Sequence, residues 1–362
     1  MKFNIVVLPG DGIGPEIIAE SVKVLNAVGK KFGHEFNYEY ALIGGVAIDA
    51  EGTALSQATI DKCKKSDAVL LGAVGDPRFD DPQAPIHPED GLLAIRKELG
   101  LFANLRPVHA YPSLAGNTNF KAGVLDGVDF IFVRELTGGL YFGQPKKRWT
   151  EKDGRWAVDS MLYSEHEIAR IVRVGFEIAR TRKKKLISVD KANVLQSSRL
   201  WRQVAIEISK EYPDVELEHM LVDACAMKII QNPKYLDVLV TENTFGDILT
   251  DEASMLGGSL GMLSSASLAG VPKAGSRTLG LYEPSHGSAP SLKGLNEANP
   301  IATILSMAMM LNYSLGLSRE AVAVEEAVSS VLADNYATHD IMGEGSTEVT
   351  TSRMGDLIAE RI

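Results

Sequence analysis

The chain of 362 residues contains only two cysteines, Cys63 and Cys225, far apart and in no CxxC pair. That scarcity argues against a disulfide framework or a thiolate zinc site, and a reducing cytoplasm is the expected compartment. Positive charge is also in deficit: the formal net charge is -10 at pH 7. A nucleic-acid binder needs a basic face to displace counterions, so that class is disfavoured, although a local basic pocket stays open. Long apolar runs are missing too. The greasiest stretch, 301–311, is too short to span a bilayer, and MKFNIVVLPG reaches Pro9 and Gly10 too soon to read as a signal peptide, so no membrane segment is expected. Internal repeats and low-complexity tracts are absent as well.

What remains is an ordinary globular composition, 45% apolar and 23% charged. The length suits two domains better than one, with room for a ligand cleft between lobes. Short β-branched runs alternate with amphipathic stretches: FNIVVLP before PEIIAESVKVLNAVGKKF, then DAVLLGAV, GLLAIRKEL, DFIFVREL, KLISVDKANV, and LDVLVTENT before GDILTDEASML. That alternation predicts an α/β fold around a parallel or mixed sheet. Ligands of such sheets gather beyond the carboxyl ends of strands, where Asp223, Asp247 and Lys191 are expected. One segment, RWTEKDGRWAVDSMLY at 148–163, has two alternating arms around Asp153-Gly154 and reads as a hairpin. Its bare edges and its residues Trp149 and Trp156 would be satisfied by pairing with a second subunit, and equally by a surface flap.

Several polar residues stand out. Asp247 and Asp251 lie one turn apart on a predicted helix, so their carboxylates share a face and repel unless a cation or solvent intervenes. With Asp223 they would supply three hard oxygen ligands, a set suited to magnesium or manganese rather than zinc. Asp247 alone could simply meet a helix dipole. Arg96, Arg106 and Arg134 sit in apolar surroundings where a guanidinium calls for an anion, such as the carboxylates of a 2-hydroxy dicarboxylic acid, the ordinary alternative being a surface ion pair. Tyr141 and Lys191 are candidate proton handlers. A lysine near a metal and arginines is pushed towards its neutral form, and proton loss from the tyrosine should be eased by the same cations. Each could instead be a solvated lysine or an interfacial tyrosine.

Two glycine-bearing loops complete the pattern. PGDGIGPE at 9–16 lacks the third glycine of GxGxxG and has no clear acidic residue closing a second strand, so it reads as a tight turn that approaches a cofactor rather than as a dinucleotide fingerprint. EPSHGSAPSLKG at 283–294 gathers donors and small residues into a loop able to take the adenosine end of a dinucleotide.

LPGDGIGPE, GLLAIRKELGLFANLRP, VRELTGGLYFG, VDKANVL, VTENTFGDILTDEAS and YEPSHGSAP occur in the order found in the metal-dependent β-decarboxylating dehydrogenases. Nearly the whole chain resembles this isocitrate/isopropylmalate dehydrogenase family. The resemblance implies a non-Rossmann fold of two lobes sharing a large mixed sheet, with 1–101 and 258–362 as the cofactor lobe and 102–257 as the dimerisation and substrate lobe. It implies a homodimer whose arms, about 148–163, pair across subunits, and whose sites borrow Lys191, Asn193, Val194 and Asp223 from the partner. Asp247 and Asp251 would bind Mg2+ or Mn2+ together with the borrowed Asp223, the ion acting as a Lewis acid. Arg96, Arg106 and Arg134 would hold the malate carboxylates, Lys191 would assist removal of the hydroxyl proton, and Tyr141 would help protonate the enolate left by decarboxylation.

Within the family, Glu89, Leu92 and Leu93 stand where isocitrate users typically carry serine and asparagine. The resemblance therefore implies 3-isopropylmalate as substrate, its isopropyl group packing on leucine, with 2-oxoisocaproate as product in leucine biosynthesis. D-malate or tartrate dehydrogenation, or a catalytically silent regulatory subunit, are the alternatives. For the cofactor the resemblance implies NAD, held by Ile13, Gly75, Glu283, His286, Gly287, Ser288, Ala289, Ser291, Leu292, Asn299 and Asp340. Many NAD-using relatives carry an aspartate at the position of Ser291, and NADP users tend to carry lysine and tyrosine at 291–292. Discrimination between the two cofactors is therefore expected to be weaker than usual.

Overall fold

The computed structural model describes residues 1–81, 84–121, 123–272 and 277–362. Its main strands are β1 (Lys2–Gly10), β2 (Glu35–Tyr40), β3 (Ala68–Ala73), β4 (Ala103–His109), β5 (Asp129–Glu135), β6 (Lys147–Glu151), β7 (Gly154–Val158), β8 (Lys185–Asp190), β9 (Glu216–Leu221), β10 (Val238–Thr241), β11 (Ser264–Leu268) and β12 (Gly280–Pro284). The main helices are α1 (Gly14–Phe32), α2 (Gly45–Glu51), α3 (Gln57–Lys65), α4 (Pro88–Glu98), α5 (Glu165–Arg180), α6 (Gln196–Ser209), α7 (Val222–Gln231), α8 (Asn243–Ser254), α9 (Ile301–Tyr313), α10 (Ser318–Ala333) and α11 (Thr351–Ala359).

Ten strands form one sheet in the order β2-β1-β3-β12-β11-β4-β5-β10-β8-β9. β2-β1-β3-β12 pair in parallel, as do β5-β10-β8-β9. The three central pairings, β12 with β11, β11 with β4 and β4 with β5, are antiparallel. The expected α/β fold with a large mixed sheet is what the chain forms. The sequence accounts for it locally. β3 is buried along its whole length, as a strand with parallel neighbours on both sides must be. Helix α1 starts with Pro15 in its first turn, buries Ile17, Ile18, Val24, Leu25 and Val28 on one face, and stops at Gly33, whose φ of 74° favours glycine. Helix α9 is buried almost all round, which explains its greasy composition. No helix among the described residues is long and apolar enough to cross a membrane.

The hairpin forms with narrower limits than its sequence suggests. Trp149 stands opposite Trp156 and Glu151 opposite Gly154, so the turn residues are Lys152 and Asp153 rather than Asp153-Gly154. The two indoles stack with centroids 6.1 Å apart, a cross-strand contact that favours this register. The strands end at Val158. Tyr163, at the far end of the expected arm, is instead buried in the core, where its hydroxyl donates to Glu242.

Candidate active site

The centre of the sheet supplies the arginines. β4 and β5 pair antiparallel with Asn104 opposite Arg134, and Arg106 follows Asn104 on the same face of β4. Arg106 Nε donates to Asn104 Oδ1 at 2.9 Å and its Nη1 to Thr250 Oγ1 at 2.6 Å. Arg134 donates to Asn243 Oδ1 from Nε and Nη2, and from Nη1 to the Asp247 carboxylate. Both residues are buried, only 6% and 3% exposed, so neither is the surface ion pair that a lone arginine usually makes. Burial pushes the Arg106 guanidinium down to about 10, with Arg134 adding to the effect, which leaves it cationic at neutral pH. Arg96 reaches in from α4, and its Nη2 donates to Glu283 Oε1 at 2.8 Å. Its positive charge is felt by both Arg106 and Arg134.

Opposite these cations stands α8, whose N-terminus is capped by the Glu242 side chain accepting from the Phe245 N–H. Asp247 and Asp251 share one face of the helix as expected, but guanidinium charge already relieves part of their repulsion. Arg106 lies 3.7 Å from Asp247 and 3.5 Å from Asp251, and Arg134 is bonded to Asp247. Burial works to raise the Asp247 carboxyl, yet Arg134, the Tyr141 hydroxyl and Arg106 outweigh it and hold the group below the usual carboxylate range. Asp251 moves the other way, raised by burial against the pull of Arg106.

Tyr141 rides on a short turn after β5, and its hydroxyl donates to Asp247 Oδ2 at 2.8 Å. Within this chain alone the expected easing by cations is present but outweighed. Burial and the hydrogen bond to Asp247 push the phenol up to about 12, outweighing the Arg134 guanidinium, which lies 6.0 Å from the ring. A carboxylate accepting the phenolic proton stabilises the neutral phenol, and sequence spacing does not reveal that contact.

The remaining acidic residue lies elsewhere. Asp223, at the start of α7, accepts from Lys191 Nζ at 2.6 Å, and that bond is the largest influence holding its carboxyl below the usual range. Asn193 and Val194, on the loop after β8, are exposed. Among the described residues no hydrogen bond or ion pair joins Lys191 or Asp223 to Asp247, Asp251 or Tyr141, and no three metal-ligating side chains of one chain come together. Asp247 and Asp251 nevertheless fit a hard divalent cation in donor chemistry, being two neighbouring carboxylates of which Asp251 has a 63% exposed side chain.

Some of the residues expected on the cofactor side meet one another. In PGDGIGPE, Gly12 has φ +55°, and an added Cβ would come within 2.0 Å of the Ser288 carbonyl oxygen, to which Ile13 N–H also donates. These glycines serve close backbone packing, in line with the tight-turn reading. Ala289 adopts a left-handed conformation with φ 39°. Leu292 joins Ile13, Ile17 and Ala298 in a small apolar cluster, whereas Ser291 and Gly287 are exposed. Asn299 Nδ2 donates to Asp340 Oδ2 at 3.1 Å, bringing that expected pair together.

A cavity of about 150 Å³ is lined by Ala73, Leu92, Arg96, Arg106, Glu283 and His286, among others. Around it Arg96 Nε, Ser285 Oγ and His286 Nε2 are buried without a hydrogen-bond partner in the protein. Burial lowers the His286 imidazole, whose Nδ1 donates to the Gly287 carbonyl, so Nε2 is left as an acceptor. Unpaired polar atoms around a cavity of this size fit a small polar ligand. Leu92 is half-buried there, while Leu93 and Glu89 are exposed on the same helix.

Three residues without an assigned role prove central. Asp11, 3% exposed, accepts from the N–H groups of Gly45, Val46 and Gly75 at 2.8, 2.9 and 3.0 Å, tying its own turn to the start of α2 and to the loop after β3. Asn104 orients Arg106, and Asn243 orients Arg134. All three lie inside the motifs quoted above, but only Asn104, between Ala103 and Leu105, carries the signal of a polar residue flanked by buried apolar ones.

The model of the family described as isocitrate/isopropylmalate dehydrogenase matches residues 4–358. A 3-isopropylmalate dehydrogenase of Dehalococcoides mccartyi is 67% identical over 100% of both chains. One of Geobacillus kaustophilus is 58% identical over 98% of this chain and 94% of its own. The crystal structure of isocitrate dehydrogenase from Methylococcus capsulatus superposes with a TM-score of 0.85 at 33% identity, covering 99% of each chain. With its sheet order, its arginine-carboxylate cluster and these likenesses agreeing along the whole length, this chain belongs to the isocitrate/isopropylmalate dehydrogenase family.

Proposed function

We propose that the chain oxidises 3-isopropylmalate and releases carbon dioxide, giving 2-oxoisocaproate with reduction of NAD, as a cytoplasmic enzyme of leucine biosynthesis. The observation that carries this reading is the cluster of Arg106, Arg134, Asp247 and Tyr141, in which buried cations face a carboxylate and a phenol. The identity to proteins named 3-isopropylmalate dehydrogenase supports the choice of substrate.

Arg96, Arg106 and Arg134 grip the two carboxylates of the substrate, and the burial of Arg106 and Arg134 makes their ion pairs stronger than they would be in water. Leu92, with Leu93 and Glu89 on the same helix face, receives the isopropyl group. Lys191 accepts the hydroxyl proton, and Tyr141 returns a proton to the carbon from which carbon dioxide has left. When bound, a magnesium or manganese ion at Asp247, Asp251 and Asp223 supplies Lewis acidity, and NAD supplies the hydride acceptor. Ile13, Gly75, Glu283, His286, Gly287, Ser288, Ala289, Ser291, Leu292, Asn299 and Asp340 form the cofactor side. NAD is preferred over NADP only moderately, because Ser291 brings neither a carboxylate for the ribose hydroxyls nor a cation for a 2′-phosphate.

The working form is a homodimer with shared sites, in which Lys191, Asn193, Val194 and Asp223 of one subunit complete the site of the other. The separation of the Lys191–Asp223 pair from Asp247 within one chain supports this. So do the exposed Met227 and Ile230 on α7, Ile248 on α8 and Met255 just after it, large apolar side chains that a partner would cover. Residues 1–101 and 258–362 make the cofactor lobe and 102–257 the dimerisation lobe.

Steady-state kinetics on 3-isopropylmalate, D-malate, tartrate and isocitrate, each with NAD and NADP, test the reading. 3-Isopropylmalate with NAD should give the highest kcat/KM. Comparable efficiency on isocitrate would overturn the substrate, since an extra carboxylate beside Leu92 loses water without gaining a partner.

A further inference from the structure

We infer that Asn243 is a positioning residue that links the substrate-gripping Arg134 to the backbone turn carrying Tyr141. The inference rests on the proposed roles of Arg134 and Tyr141, and it concerns what holds them in register with each other.

Asn243 is the first residue of α8 and is fully buried. Its Oδ1 accepts from Arg134 Nε at 3.1 Å and Nη2 at 2.8 Å. Its Nδ2 donates to the carbonyl oxygens of Leu136 at 3.2 Å and Gly138 at 3.1 Å. A guanidinium only donates and a carbonyl only accepts, so the orientation of the amide is set by its partners, and both of its N–H donors are used. The backbone N–H of Asn243 donates to Tyr163 Oη at 2.9 Å, which anchors the residue from the other side.

The geometry serves two functional groups at once. Arg134 is clamped through Nε and Nη2, and its Nη1 is free to reach Asp247 on the next turn of the same helix. The segment from Leu136 to Gly138 leads straight into the turn Gly139–Tyr141. That segment is held by its carbonyls at Asn243 and by its N–H groups at Glu135, whose carboxylate accepts from Thr137 and Gly138. Gly139, with φ +73°, has no room for a side chain, because a Cβ would come within 2.4 Å of Tyr163 Oη. The Gly139 N–H also donates to the Leu162 carbonyl at 3.1 Å, and the Asn243 contacts are the ones that tie this turn to Arg134. No other residue type does the same work: aspartate keeps the acceptor for Arg134 but loses both donors, alanine loses both functions, and glutamine is one methylene too long for a filled site.

The two halves of the role can be separated in the full-length enzyme supplied with magnesium, NAD and 3-isopropylmalate. Asn243→Asp keeps the Arg134 contact and loses the turn, so kcat should fall about 100-fold, as for a misplaced reacting group, with KM little changed. Asn243→Ala should lower kcat and raise KM together. Asn243→Ser serves in its place if the alanine variant does not fold. A core control, Phe176→Leu on α5, should lose thermal stability without a matching loss of turnover. A fall in kcat for Asn243→Asp no larger than that of the control at equal Tm overturns the inference, as does an equal rise in KM. Arg134→Met and Tyr141→Phe are measured alongside. If both keep wild-type constants, the substrate reading fails and this one with it. If both are impaired while Asn243→Asp is not, only the positioning role fails.

Discussion

Lys191 Nζ donates to Asp223 Oδ1 across 2.6 Å, so these two residues form a unit within their own chain while Asp247 and Tyr141 form another. Each unit carries half of the proposed chemistry. A dimer that brings one to the other has two composite sites, and that arrangement leads to a complementation test. Asp223→Asn and Asp247→Asn should each be nearly inactive. In a heterodimer of the two, one site carries both lesions and the other carries none. Subunit exchange between the variants should restore about a quarter of wild-type activity. An equilibrated mixture that stays inactive would show that the site is built within one subunit.

Leu92 is half-buried on α4 and lines the same cavity as Arg96 and Glu283. Leu92→Ala should lower kcat/KM for 3-isopropylmalate roughly 10- to 200-fold, the range set by loss of apolar contact in a specificity pocket. D-Malate, which has no isopropyl group to lose, should be affected far less. Equal losses on both substrates would remove Leu92 from the specificity pocket.

Asp11 holds three backbone N–H groups, of which Gly75 belongs to the proposed cofactor side. Asp11→Asn retains one oxygen and turns an amide donor against a donor. The cost should be about 1.5–3 kcal/mol of stability, typical of a hydrogen bond to a charged group. NADH affinity, read by fluorescence titration below the melting range, should weaken as well. An unchanged dissociation constant would confine Asp11 to a structural task.

His219, on β9, has a buried Nδ1 with no partner, and burial lowers its affinity for protons, with Arg202 acting in the same direction. A base whose folded value lies below its ordinary 6.5 contributes stability above that value and loses it as pH falls through the lower folded value. Urea midpoints should therefore drop as pH falls from neutrality through the ordinary 6.5 in the wild type and drop less in His219→Gln. Parallel pH curves for the two proteins would exclude His219 as a contributor.

Much of this molecule is legible in its primary structure. The alternation of apolar runs and amphipathic stretches marks β1, α1, β3, α4, β5, β8, β10 and α8, because the side-chain period of an element is a local property of the backbone. Asp247 and Asp251 can be placed on one helix face for the same reason. Pro15 and Gly33 mark the ends of α1 through their own dihedral preferences. The tight-turn reading of PGDGIGPE likewise needs only the residues themselves.

Other features depend on which strands become neighbours. Asn104 meets Arg134 because β4 lies beside β5, and Glu283 stands opposite Ser265 because β11 pairs with β12, in an order that local periodicity does not encode. The partner of the Tyr141 hydroxyl, the separation of Asp223 from Asp247, the segments drawn together by Asp11 and the true turn of the Trp149–Trp156 hairpin all belong to this class. Helix and strand periodicity follow from the chain's own bonds. Pairings between distant segments follow from how the buried surfaces of the whole molecule fit together, and only the folded arrangement decides them.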